Sequence, residues 1–220
     1  MRFMPRAFAL AAALAFLPVA TFAQEAKGLG GWSVVGAELN AGKPFQDVQA
    51  GWPNVNFGYT VGLSKVMDMG FRFGLLYGVE GTTNTQFGLG AWVPLRFQLA
   101  RGQQFNMLFH IDPGMRIYFS GNNTNTLFAI TAPVGVVMGF PVAQNLEIGA
   151  GLDFMLALNL TDPVTFVFTP WAGPYVEYHF DNSNVAIGMN TRFGVAIPTN
   201  AGGSASFAFM AQAFVGYRLF

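Results

Sequence analysis

The chain has 220 residues, no cysteine, and 11 basic residues balanced by 11 acidic ones. Balanced charge gives no electrostatic footprint for nucleic acid, and missing thiols exclude disulfides, thiolate catalysis and thiolate metal sites. Charged residues are only 10% of the chain and apolar residues 52%, against about 25% charged in soluble domains, so few charges remain to coat a water-soluble surface.

In chain order, Arg2 and Arg6 form a positive n-region, Ala7 to Ala20 an apolar stretch, and Thr21 and Ala23 the small residues before Gln24. This reads as a secretory signal peptide over 1–23, the apolar run being short for a membrane anchor. Residues 24–220 then make one domain. No later apolar run approaches the ~18 residues of a membrane-crossing helix.

The mature chain keeps a two-residue beat. A first strand is expected over Gly31–Leu39, with Ser33, Val35, Ala37 and Leu39 on one side, and residues 40–53 read as a loop. Asn54–Ser64 alternates without a break: Val55, Phe57, Tyr59, Val61 and Leu63 oppose Asn54, Asn56, Gly58, Thr60, Gly62 and Ser64. Further strands are expected at 70–80, 86–99, 104–119, 127–140, 145–158, 164–180, 184–197 and 204–220, joined by turns such as 81–85 and 120–126. The pattern predicts an all-β, closed, antiparallel up-and-down barrel of about ten strands, eight being the alternative count. Pro94, Pro113, Pro133, Pro170 and Pro174 fall inside these strands, where each removes a ladder donor. Bulges, or positions above a bilayer, would accommodate them.

Periodicity alone leaves open which face points outward. A soluble lipocalin-like barrel would turn the apolar face inward around a ligand. The scarcity of charge opposes that, as does the gathering of aromatics near strand ends on the apolar face. Phe71, Phe73, Phe97, Phe105, Phe140, Tyr178, Phe180 and Tyr217 would form one girdle, and Tyr77, Phe87, Phe119, Phe128, Phe154, Phe166 and Phe207 the other. Two such girdles bounding an apolar band suit a transmembrane β-barrel.

The leader, the amphipathic strands, the tight turns and the ending Phe214-Val-Gly-Tyr-Arg-Leu-Phe220 resemble a small Gram-negative outer-membrane β-barrel protein of the OmpA/OmpX/OmpW-like porin-type kind. The resemblance implies residence in the outer membrane among lipid and lipopolysaccharide, and insertion by the barrel-assembly machinery, with Tyr217 and Phe220 as the assembly signal. In one departure, Val215, Tyr217 and Leu219 continue the apolar row while Phe220 falls on the other face. The resemblance does not choose among pores, enzymes and structural barrels.

The polar face would carry a lumen charge network: Arg72, Arg96, Arg116, Arg192 and Arg218, with Glu38, Glu80, Asp112, Glu147, Asp153 and Glu177, and with His110 and His179 beside them. Paired charges filling a narrow barrel predict a non-catalytic, monomeric envelope protein, with Trp92, Trp171, Tyr118 and Tyr175 completing the filling. Inward glycines leave room for the alternative, a narrow diffusion channel for small solutes or ions; passage of a small hydrophobic molecule is a further option. A lipid-modifying enzyme would need His, Ser and a carboxylate together. Glu177 and His179 share a face, but Ser183 lies past the strand end, and His110 with Asp112 and Arg116 lacks a nucleophile. No metal, cofactor or phosphate site is expected: two isolated histidines carry no ligand spacing, and Gly88-x-Gly90 and Gly149-x-Gly151 precede no helix.

Overall fold

A computed structural model describes residues 29, 31–40, 42–78, 85–119, 126–161, 164–181, 183–199 and 203–219. The leader, Glu80, most of the turns at 81–85 and 120–126, and Phe220 lie outside them. The described chain holds no helix. Its segments are β1 (Phe45–Trp52), β2 (Asn54–Gly62), β3 (Met67–Gly78), β4 (Thr85–Trp92), β5 (Leu95–Arg101), β6 (Asn106–Ile111) and β7 (Gly114–Tyr118). They continue with β8 (Leu127–Thr131), β9 (Val134–Ala143), β10 (Leu146–Asn159), β11 (Thr165–His179), β12 (Val185–Pro198) and β13 (Ser206–Arg218).

Three pairs of these, β4/β5, β6/β7 and β8/β9, are single strands interrupted at Val93-Pro94, Asp112-Pro113 and Ala132-Pro133, which makes ten strands. The expected bulges are absent there. Trp92 pairs with Gly114 on one side of the break and Leu95 with Ile111 on the other, so the register runs through unshifted. Each preceding residue keeps its bond: Val93 N–H donates to Pro113 O at 2.9 Å, Asp112 N–H to Pro133 O at 2.9 Å and Ala132 N–H to Leu156 O at 2.8 Å. At each of these three breaks proline therefore removes a donor without displacing the strand.

Consecutive strands pair antiparallel, and β1 pairs with β2 on one edge and with β13 on the other, from Phe45↔Arg218 to Trp52↔Ala211. That last ladder closes the barrel and leaves no edge. Short connections between β2 and β3, β5 and β6, β9 and β10, and β11 and β12 share one end with the start of β1 and the finish of β13. We call this the proximal end.

The first strand is not where the sequence places it. Residues 31–39 form no strand, and β1 lies in the stretch 40–53 read as a loop. The alternation of Ser33, Val35, Ala37 and Leu39 belongs to a segment lying inside the barrel, where Trp32, Ser33, Val34, Ala37, Glu38, Leu39 and Asn40 are all buried. The true first strand alternates too, but with Phe45 inward and Gln46 outward, which mixes polarity on both faces.

Most large apolar side chains of the wall face outward. Phe57, Phe71, Phe87, Leu152, Phe193 and Val215 are each more than 40% exposed. Every residue of the two expected girdles lies on this outer face, none of them buried. Ring contacts tie several together near the ends, such as Phe105 with Phe140 proximally and Phe87 with Phe119 distally.

Candidate functional site in the barrel interior

The interior is built from the polar half of each alternation. Its proximal layer centres on Glu147 and Glu177, which sit opposite each other on β10 and β11 and are both fully buried. Two adjacent buried carboxylates need donors, and the N-terminal segment supplies them. Glu177 accepts from the backbone N–H of Val34 (2.8 Å), Val35 (3.1 Å) and Gly36 (3.0 Å), and Glu147 from that of Ala37 (2.9 Å). Successive amides converging on an anion in this way form a nest. Tyr175 Oη–H and Asn106 Nδ2 also donate to Glu147, at 2.7 and 3.0 Å, and His179 Nε2 lies 2.9 Å from Glu177.

Opposite these, Arg96 binds Asp68 through Nε (2.8 Å) and Nη2 (2.6 Å), and its Nη1 donates to Ser33 O and Val34 O. Gln98 receives Leu39 N–H and donates to Ala37 O, while Asp68 accepts Asn40 N–H. Glu38 pairs with Arg101. Burial pushes the Glu38 carboxyl above the ordinary carboxylate range, with Arg101 opposing the shift. Apolar sockets complete the seat: Trp32 and Val34 pack with Phe45, Ala186 and Phe214, and Ala37 and Leu39 with Leu108, Val137 and Tyr175.

The middle layer is polar. His110 bridges Asp112 through Nδ1 (3.0 Å) and Asp153 through Nε2 (2.7 Å), and Arg192 Nε donates to the other Asp153 oxygen at 2.5 Å. Arg116 lies 5.3 Å over the Trp92 ring. Arg72 reaches Asp47 at 3.6 Å. A cavity of about 160 Å³ occupies this layer, lined by Arg72, Arg116, His110 and Arg192 and bounded proximally by Val34, Val35 and Gly36. At the distal end two separate apolar clusters line opposite arcs: Leu76, Trp92 and Tyr118 on one, Met155, Trp171, Ala196 and Ala208 on the other.

The interior thus brings together Glu38, Arg72, Arg96, His110, Asp112, Arg116, Glu147, Asp153, Glu177, His179 and Arg192, with Arg218 near the proximal rim. Glu38 arrives there from the internal segment rather than from a strand. Sequence reasoning missed Asp47, Asp68 and Arg101, which lay in stretches read as loop or turn. The alternation Phe45, Asp47, Gln49 was the available signal for the first of them.

The candidate enzyme constellations do not assemble. His179 is buried against the Trp32 ring, whereas Ser183 Oγ–H donates to Phe180 O in the exposed turn. Both ring nitrogens of His110 are engaged by carboxylates, and among the described residues no hydroxyl bonds to them. No protein-family model matches the chain, and comparison with curated proteins finds no match.

Proposed function

We propose that this is an exported, monomeric outer-membrane β-barrel, non-catalytic, with a narrow charge-lined lumen that its N-terminal segment keeps closed at rest, and with a structural role in the envelope. One observation carries the reading: the barrel is inside out by the standard of a soluble protein, with ion pairs within and a continuous apolar band without. Monomeric soluble proteins rarely expose apolar patches beyond a few hundred Å². In lipid, by contrast, a closed ladder satisfies every backbone group, and outward Phe, Leu and Val are at home. Aromatic side chains at both rims fit the two interfaces. In the outer membrane its neighbours would be lipid and lipopolysaccharide, and the barrel-assembly machinery would insert it.

The test is refolding of the mature chain into phosphatidylcholine vesicles, followed by gel mobility with and without boiling and by planar-bilayer recording. A compact unboiled band and a silent bilayer are expected. A chain that stays monomeric in buffer without detergent contradicts the membrane reading.

A second reading, a narrow diffusion channel, is favoured by the mid-barrel cavity of about 160 Å³, which Arg72, Arg116 and Arg192 line. Ten strands enclose slightly more than the eight whose interior side chains just fill. Discrete openings in the wild type would favour it.

A further inference from the structure

We propose that residues 31–40 are a displaceable plug, and that its release turns the barrel into a water-filled conduit for small hydrophilic solutes. The inference rests on the channel reading and names its gate.

The wall does not need the segment. β1 already pairs with both β2 and β13, so the ladder is closed without it. Apart from the Glu38–Arg101 ion pair, the polar contacts that seat the segment run between its backbone and wall side chains: Glu177, Glu147, Gln98, Asp68 and Arg96. Side-chain contacts can be exchanged for water one at a time, whereas a strand would have to unzip a ladder.

The wall is nevertheless shaped for the segment. Leu108, Val137 and Phe214 are buried, point into the proximal interior among its charged groups, and meet apolar side chains of the segment. Gly36 sits where a Cβ would come within 2.6 Å of Glu147 Oε1 and 3.2 Å of Glu177 Oε2, so only a bare backbone nestles between the two carboxylates. With the segment seated, amides neutralise a cross-strand glutamate pair; with it gone, those carboxylates face each other and need water. Two states therefore exist, seated and dry or released and hydrated, and the seat favours the first.

Release would open a path. The segment closes the proximal side of the mid-barrel cavity. Distally, the two apolar clusters stand on opposite arcs, and Arg116 spans the gap between them, lying over Trp92 and donating to Met155 Sδ at 3.6 Å, so this side chain is the constriction that remains. Of the described residues, only Leu29 and those of this segment are buried within the barrel without belonging to its wall.

The experiment uses the full mature chain in planar bilayers with potassium chloride. Gly36→Val should unseat the segment while leaving every wall residue intact, raising open probability about tenfold or more over wild type. Val34→Cys with Gly216→Cys supplies the lock: a Cβ at Gly216 lies 2.4 Å from Val34 Cγ2, within disulfide reach, and no other cysteine competes. Combined with Gly36→Val, this pair should silence conduction when oxidised and restore it when reduced. If Gly36→Val fails to insert, Glu177→Gln replaces it, weakening the acceptor for three amides. Conduction that ignores the oxidised lock overturns the plug but leaves the channel standing. Silence of an inserted, loosened and reduced variant overturns both.

Discussion

Asp153 and Leu152 are chain neighbours with opposite surroundings, and together they test the face assignment. Asp153 holds Arg192 at 2.5 Å and His110 at 2.7 Å, and Arg192 is buried. Asp153→Ala strips buried Arg192 of its counter-charge and leaves His110 with Asp112 alone. Breaking a buried pair by removing one member costs about 3–5 kcal/mol, chiefly because the remaining charge is stranded. Urea unfolding of the vesicle-inserted protein should show a loss of that size. Leu152 points outward and is 44% exposed. Leu152→Arg should cost about 2–4 kcal/mol if that side meets lipid near the bilayer midplane. If the protein tolerates arginine at 152 as an exposed polar surface would, the outer face does not touch lipid. At this scale the sequence was legible because period-two alternation sorts charged from apolar positions without any knowledge of pairing. It could not say which charges meet. Asp153 joins Arg192 and His110 across strands far apart in the chain, and no local spacing encodes that.

At the scale of elements, the strands from β2 onward match the alternation closely, while the first was misread. Ser33, Val35, Ala37 and Leu39 alternate like a strand, and nothing local distinguishes an extended segment whose amides find side chains from one whose amides find a ladder. The difference lies in Glu147 and Glu177, more than a hundred residues away. The prolines were legible as missing donors, but not their alignment across three neighbouring strands without a shift in register. The seat of the segment makes its own prediction. Amides 34–36 bond one carboxylate and amide 37 another, so Glu177→Ala should speed hydrogen exchange at Val34, Val35 and Gly36. Ala37, on Glu147, should change less, and the barrel ladder should stay protected. Equal exchange at 34–36 in wild type and variant would mean that the carboxylate does not hold the segment.

For the whole molecule, the decisive event is closure. Most ladders join strands that are close in sequence, but β1 with β13 joins the two ends of the barrel, at the largest loop-closure cost of any pair. Gly51 sits in that seam, opposite Gln212, with φ at 149°, and a Cβ there would lie 2.0 Å from Ala211 O. Backbone rather than a flexible side chain blocks the space, so Gly51→Val must part the strands locally. Gly42, before β1, also has positive φ, at 94°, but nothing within 4 Å of its Cβ position. Gly42→Ala therefore carries the backbone strain alone, about 1 kcal/mol. Gly51→Val adds the clash across the seam, for a total of about 2–4 kcal/mol. Refolding into vesicles separates the two. Gly42→Ala should give the compact unboiled band at near wild-type yield, whereas Gly51→Val should retain β-sheet circular dichroism while losing much of that band, because the earlier hairpins form and the ring fails to shut. Equal yields would mean that this ladder is not what closes the barrel.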